Sequence, residues 1–81
     1  MIKISKHAAE RFLQRVMNKT SYTKRELFYA YKFLEAEIRG VEVARYRDFF
    51  SLPSFKGYRA LIIENTLVTI IPKEWKPQYS R

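Results

Sequence analysis

The stretch Tyr58-Arg-Ala-Leu-Ile-Ile-Glu-Asn-Thr-Leu-Val-Thr-Ile-Ile-Pro72 decides the fold class. Two runs rich in aliphatic and β-branched residues, Tyr58 to Ile63 and Thr66 to Ile71, flank the polar pair Glu64-Asn65. This is the pattern of a hairpin closed by a two-residue turn. Such a turn pairs Ile63 with Thr66, and an uninterrupted ladder then pairs Ala60 with Thr69 and Tyr58 with Ile71. In that register one face carries Tyr58, Ala60, Ile62, Leu67, Thr69 and Ile71. The other carries Arg59, Leu61, Ile63, Thr66, Val68 and Ile70. Both faces are largely apolar, which places these strands centrally, with at least one face under other elements. Pro72 has no N–H for the ladder and ends the last strand.

Moving toward the N-terminus, Leu52 to Gly57 reads as a loop, with Pro53 and Gly57 as its punctuation. Val41 to Phe50 is rich in β-branched and aromatic residues, and Arg45, Arg47 and Asp48 mark it as an edge strand. Before Gly40 the period changes. Thr23-Lys-Arg-Glu26 is a capping box that opens a helix running to about Arg39, with Gly40 as its C-terminal stop. Leu27, Ala30, Tyr31, Leu34 and Ile38 form its core stripe. Phe28, Tyr29 and Phe33 fall outside that stripe. Either they pack on the first helix or under a loop, or they form a patch for a partner or for self-association. An earlier helix starts at Ser5, a good N-cap, and buries Ala8, Ala9, Phe12, Leu13 and Val16. The expected architecture is α+β: two N-terminal helices packed on a small antiparallel sheet of three to four strands, as one domain over residues 1–81.

The composition bounds the function. The chain has 81 residues, 16 Lys and Arg against 8 Asp and Glu, and no Cys. The resulting net charge of +8 favours polyanionic partners: nucleic acid, anionic lipid or an acidic protein. No apolar run reaches the length of a membrane span, and no secretory leader is recognisable, so the expected location is cytoplasmic. Without cysteine there is neither a disulfide nor a thiolate zinc site. Two Gly cannot build a phosphate-cradling loop, and the lone His with scattered carboxylates offers no metal set. No cofactor is expected.

Two features bear on chemistry. The first is the run Ser5-Lys-His-Ala-Ala-Glu-Arg-Phe-Leu-Gln-Arg15, which spaces His7, Arg11 and Arg15 at i, i+4 and i+8 along one helix face. A group that titrates near neutrality beside two permanent cations suits metal-free cleavage of RNA. That reaction needs an acid or base at the ribose hydroxyl and leaving oxygen, and cations at the phosphorane. Arg59 and Lys73 are further candidate cations, although the continuous hairpin register sets Arg59 and Thr69 on opposite faces. The plainer reading is a solvated basic edge. The second feature is the interleaving of cations with rings: Arg45-Tyr46-Arg47 before Phe49 and Phe50, and Lys73 before Trp75. Such surfaces bind single strands by stacking and phosphate contacts. The two phenylalanines are expected in the core.

The first helix resembles that of small phage and bacterial domains related to the barnase, colicin and RelE-like ribonuclease toxins. These open with a helix of the form His-Ala-x-x-Arg-x-x-x-Arg, here His7 to Arg15. They close with a strand carrying a Thr after β-branched residues, here Leu67-Val-Thr-Ile-Ile71. The resemblance implies His7, Arg11 and Thr69 in an active cleft, with Arg15 as a second basic position. The expected function is therefore a metal-independent, toxin-type endoribonuclease. The alternative is a non-catalytic basic phage or bacterial protein that binds nucleic acid or an acidic partner, such as an antitoxin or host factor. In either case Arg15, Arg45, Arg47, Arg59, Lys73 and Trp75 are the candidate nucleic-acid contacts. Phe28, Tyr29 and Phe33 are the candidate protein contacts.

Overall fold

A computed structural model describes residues 2–42 and 46–74. It is α+β, with two helical segments on one face of a four-stranded sheet. The strands are β1 (Lys3–Ile4), β2 (Arg47–Ser51), β3 (Tyr58–Ile63) and β4 (Thr66–Pro72), in the order β1-β4-β3-β2. The helices are α1 (Lys6–Arg11), which continues as a π-helical segment over Phe12–Val16, and α2 (Lys24–Glu37). Two expectations need correction. The chain enters through a strand, so the helices follow β1 instead of opening the fold. The sheet is mixed, because β1 runs parallel to β4. A two-residue strand carries no periodicity, which is why the pattern missed it.

The capping box forms as the sequence dictates. The Thr23 hydroxyl accepts from the Glu26 amide at 3.1 Å, and Glu26 accepts from the Thr23 amide at 2.9 Å. The second oxygen of Glu26 meets Lys19 Nζ at 2.7 Å, pinning the interhelical loop to the start of α2. Gly40, at φ +83°, takes the left-handed conformation just past the helix end. Among the described residues no helix is long and apolar enough to cross a membrane.

The hairpin turn is the two-residue type. Glu64 and Asn65 have φ of 51° and 61°, and Ile63 pairs with Thr66. Ile62 pairs with Leu67, and then the register slips: Leu61 pairs with Thr69, Ala60 with Ile70, and Tyr58 with Pro72. Val68 is the extra residue of a β-bulge. The core explains the slip. An uninterrupted ladder would turn Thr69 inward and Ile70 outward. With the bulge, Leu67 and Ile70 are both fully buried beside Ala60 and Ile62. Burying an Ile side chain is worth on the order of 2 kcal/mol. A buried Thr hydroxyl would need a partner instead.

Against this sheet face pack Ala8, Ala9, Phe12 and Leu13 from the first helix, Ala30, Leu34 and Ile38 from α2 and its C-terminal end, and Leu52 from the loop after β2. Phe12, Phe33 and Phe55 form an aromatic trio with ring centroids 5.1 to 5.7 Å apart.

The bulge is also supported from the first helix, by residues distant in sequence. β1 covers only Thr66 and Leu67 of β4, so the β4 edge beyond it is left without a strand partner. Ser5 and Arg15 supply side chains there. The Ser5 hydroxyl donates to the Val68 carbonyl at 3.3 Å while accepting from the Ala8 amide at 3.0 Å as N-cap of α1. Arg15 Nη1 donates to the Ile70 carbonyl at 2.7 Å, and the Tyr58 hydroxyl donates back to the Arg15 carbonyl at 2.9 Å.

Two predictions follow from these contacts. Ser5→Ala removes a helix cap and the partner of the bulge carbonyl together. It should destabilise by about 1–2 kcal/mol, lowering Tm by several degrees in thermal unfolding; an unchanged Tm would contradict the role given to Ser5. The second concerns acid. The hydrogen bond from Lys19, followed by that from the Thr23 amide, holds the Glu26 carboxyl below its ordinary value of 4.5. Folding thus lowers this pKa, so its stabilising contribution is complete above about 4.5 and is lost as pH falls through the depressed value. Urea unfolding across this acid range should show a shallower pH dependence for Glu26→Gln than for the wild type. Parallel curves would contradict the assignment.

Candidate nucleic-acid interface

Strand alternation turns every second residue of the sheet away from the helices. Three cross-strand rows result on the outer face: Arg47 with Ile63 and Thr66, Phe49 with Leu61 and Thr69, and Ser51 with Arg59 and Ile71. The helices cover the opposite face, where Ala60, Ile62, Leu67 and Ile70 are buried. These nine outer positions include two arginines and no acid. Asp48 alternates to the other side, beside Ile62.

The bulge determines what shares this face. It moves Thr69 from the Ala60 side to the Arg59 side, so the two residues that a continuous ladder separates come onto one surface. The Arg59 guanidinium lies over the Phe49 ring at 4.5 Å from its centroid, a cation–π stack. Among the described residues Arg59 Nε is buried and has no hydrogen-bond acceptor. Phe49 itself remains 45% exposed. Lys73 stands one residue past β4, exposed, and its amide bonds to the Gly57 carbonyl at 2.8 Å.

Phe49 faces out, contrary to the expectation that it joins Phe50 in the core. The neighbours alternate: Phe50 packs against the core while Phe49 faces out. The signal was available, because in an edge strand only one of two adjacent rings can face the helices.

The helical stripe dissolves into three environments. His7 is exposed, on the side of α1 opposite Ala8, Ala9 and Phe12. Arg11 Nη1 is bound to Gln14 Oε1 at 2.6 Å. Arg15 spans to the β4 edge and closes a backbone carbonyl, a structural task. Thr69 lies on the far face of the sheet, so the structure does not join His7 and Arg11 to Thr69 in a single cleft. Of the remaining candidates, Arg47, Arg59 and Thr69 share the outer face, with Thr69 in the middle row and the two arginines in the end rows, while Arg45 and Trp75 lie outside the described residues.

The aromatic candidates on α2 also divide. Phe33 belongs to the trio with Phe12 and Phe55. Phe28 and Tyr29 are 55% and 62% exposed. Among the described residues no cluster of three His, Asp or Glu is placed to hold a metal ion.

Comparison with known proteins returns no matching family model, no matching curated protein and no matching solved structure.

The bulged register makes opposite predictions for two adjacent residues. Ile70→Ala should cost about 2–5 kcal/mol as a core truncation. Thr69→Ala should cost less than about 1 kcal/mol as a surface change. Equilibrium unfolding in urea separates the two, and a larger loss at Thr69 than at Ile70 would restore the continuous ladder.

Proposed function

We propose that this protein binds single-stranded nucleic acid, RNA foremost, on the outer face of its sheet. The observation that carries this reading is Arg59, stacked on the exposed Phe49 ring on a sheet face whose rows carry two arginines and no acid. A stacked guanidinium is held flat and keeps its donors in one plane, the arrangement that suits phosphate oxygens or base edges. The guanidinium lying over Phe49 continues that stack outward, so a base can stack on the pair, and such stacking tolerates any sequence. Thr66 and Thr69 add hydroxyls along the same face, and Arg47 and Lys73 add charge at its margins. The chain's net charge of +8 draws a polyanion toward it at long range.

Cleavage of RNA asks for more than this surface offers. An acid or base must stand within hydrogen-bond reach of the reacting oxygens. His7, the one histidine, belongs to the helical layer and not to the face that carries Arg59 and Thr69. Binding without cleavage is therefore the reading that the arrangement supports best.

Fluorescence anisotropy with a labelled oligouridine tests both readings. The wild type should bind, with log Kd rising with log salt at a slope of about 2. That slope corresponds to roughly three phosphate contacts, from Arg47, Arg59 and Lys73. Phe49→Ala should weaken binding by about 1–3 kcal/mol, roughly 5- to 150-fold in Kd. His7→Ala should bind normally. A salt-independent complex, or a Phe49→Ala variant that binds as the wild type does, would refute the proposal. Cleavage of the RNA in chelator that disappears in His7→Ala would replace it with the ribonuclease reading.

A further inference from the structure

On the far side of the molecule from the sheet's outer face, α2 carries a charge pattern that its own helix disfavours. A helix is stabilised by acids at its N-terminus and bases at its C-terminus. Here Lys24 and Arg25 occupy the first turn, although Glu26 of the capping box is beside them. Glu35 and Glu37 occupy the last turn, which has no base. Glu37 is engaged by Ser54, whose amide and hydroxyl donate to it at 3.0 and 2.8 Å. Glu35 has only an exposed contact of 3.6 Å with Lys32. Among the described residues Lys24 and Arg25 have no acidic partner.

Between these ends the helix shows an apolar strip. Phe28 and Tyr29 are exposed and touch each other, with ring centroids 6.4 Å apart. Tyr29 in turn forms one wall of a groove of about 340 Å³ between α2 and the π-helical segment. Met17, itself 47% exposed, forms the other wall, and Phe33 and Phe55 line the floor. Over its length α2 carries Lys24, Arg25 and Lys32 against Glu26, Glu35 and Glu37, a balanced set, and the Lys32 ammonium lies over the Phe28 ring at 5.5 Å from its centroid. On a chain of net charge +8, a surface with balanced charge is where two copies meet with least repulsion.

We propose that a second copy of this chain docks on α2, with the two helices antiparallel across a twofold axis. That orientation sets Lys24 and Arg25 of each copy against Glu35 of the other and opposes the two helix dipoles. It also lets the exposed ring of Tyr29 enter the partner's groove. A twofold interface uses the same patch twice, so ring and groove must be neighbours on one surface, as they are here. The contact is built on a helix of 14 residues, about 21 Å long. That is the small end of stable interfaces, which predicts a reversible dimer. The dimer would leave both outer sheet faces free, and it stands or falls independently of what they bind.

Sedimentation velocity of the full chain, without nucleic acid, tests the dimer across a wide range of protein concentration. The wild type should shift from monomer to dimer as concentration rises. Phe28→Ala/Tyr29→Ala should remain monomeric with an unchanged circular dichroism spectrum. Arg25→Glu should shift the transition to higher concentration, and adding Glu35→Arg in the same chain should restore it, because each copy then presents the reversed complementary pair. Rescue of this kind does not arise from a folding defect. A wild type that stays monomeric at the highest concentration, or a dimer indifferent to the Phe28/Tyr29 variant, would overturn the proposal. So would a charge reversal without rescue, which would exclude the antiparallel arrangement.

Discussion

The open edge of β4 governs how the first helix and the sheet fit together. A two-residue β1 can cover only the first part of that edge. The remaining carbonyls must be satisfied by something other than a strand, since unpaired backbone groups in a partly buried setting are costly. Ser5 and Arg15 satisfy two of them from the first helix. The helix is thereby fixed along the sheet by hydrogen bonds as well as by the burial of Ala8, Ala9, Phe12 and Leu13. The Ser5 hydroxyl caps the helix and holds the bulge in one residue, so the local start of α1 and the long-range register of β4 are coupled through a single side chain.

That coupling reaches the surface. Because Val68 is set aside by the bulge, Leu67 and Ile70 both turn inward, and Thr69 turns outward onto the face of Arg59. The composition of the outer face is thus a by-product of core packing: burying Ile70 is what turns Thr69 outward. The same event separates Thr69 from the helical layer, in which His7 is exposed and Arg15 reaches the sheet edge. An arrangement that began in the sequence as one basic stripe ends as one structural arginine, one side chain tied to Gln14 and one solvent-facing histidine.

Much of the fold was legible in the sequence where the signal is local. The N-cap at Ser5, the capping box at Thr23 and Glu26, the buried Ala30, Leu34 and Ile38, and the two-residue turn at Glu64-Asn65 all follow from short-range chemistry. What was not legible depends on contacts distant in sequence. β1 is too short to show a period, and its parallel pairing with β4 joins residues about sixty positions apart. The bulge cannot be read from alternation, because Leu67-Val-Thr-Ile-Ile71 is apolar or β-branched throughout and suits either register. Of the candidate site, the cationic residues were found from charge, but the ring that organises them was not. Phe49 and Phe50 are chemically identical, and only the pairing of β2 with β3 decides which of them faces out.

In the proposed function, Arg59, Phe49 and Thr69 on the bulged sheet meet nucleic acid together. The most direct measurement is a titration of isotope-labelled protein with a short unstructured RNA, followed residue by residue in amide NMR spectra. Shifts should concentrate at Arg47, Phe49, Arg59, Leu61 and Thr69, with the amides of α1 and α2 undisturbed. Shifts centred instead on His7, Arg11 and Arg15, with the outer face of the sheet silent, would contradict it.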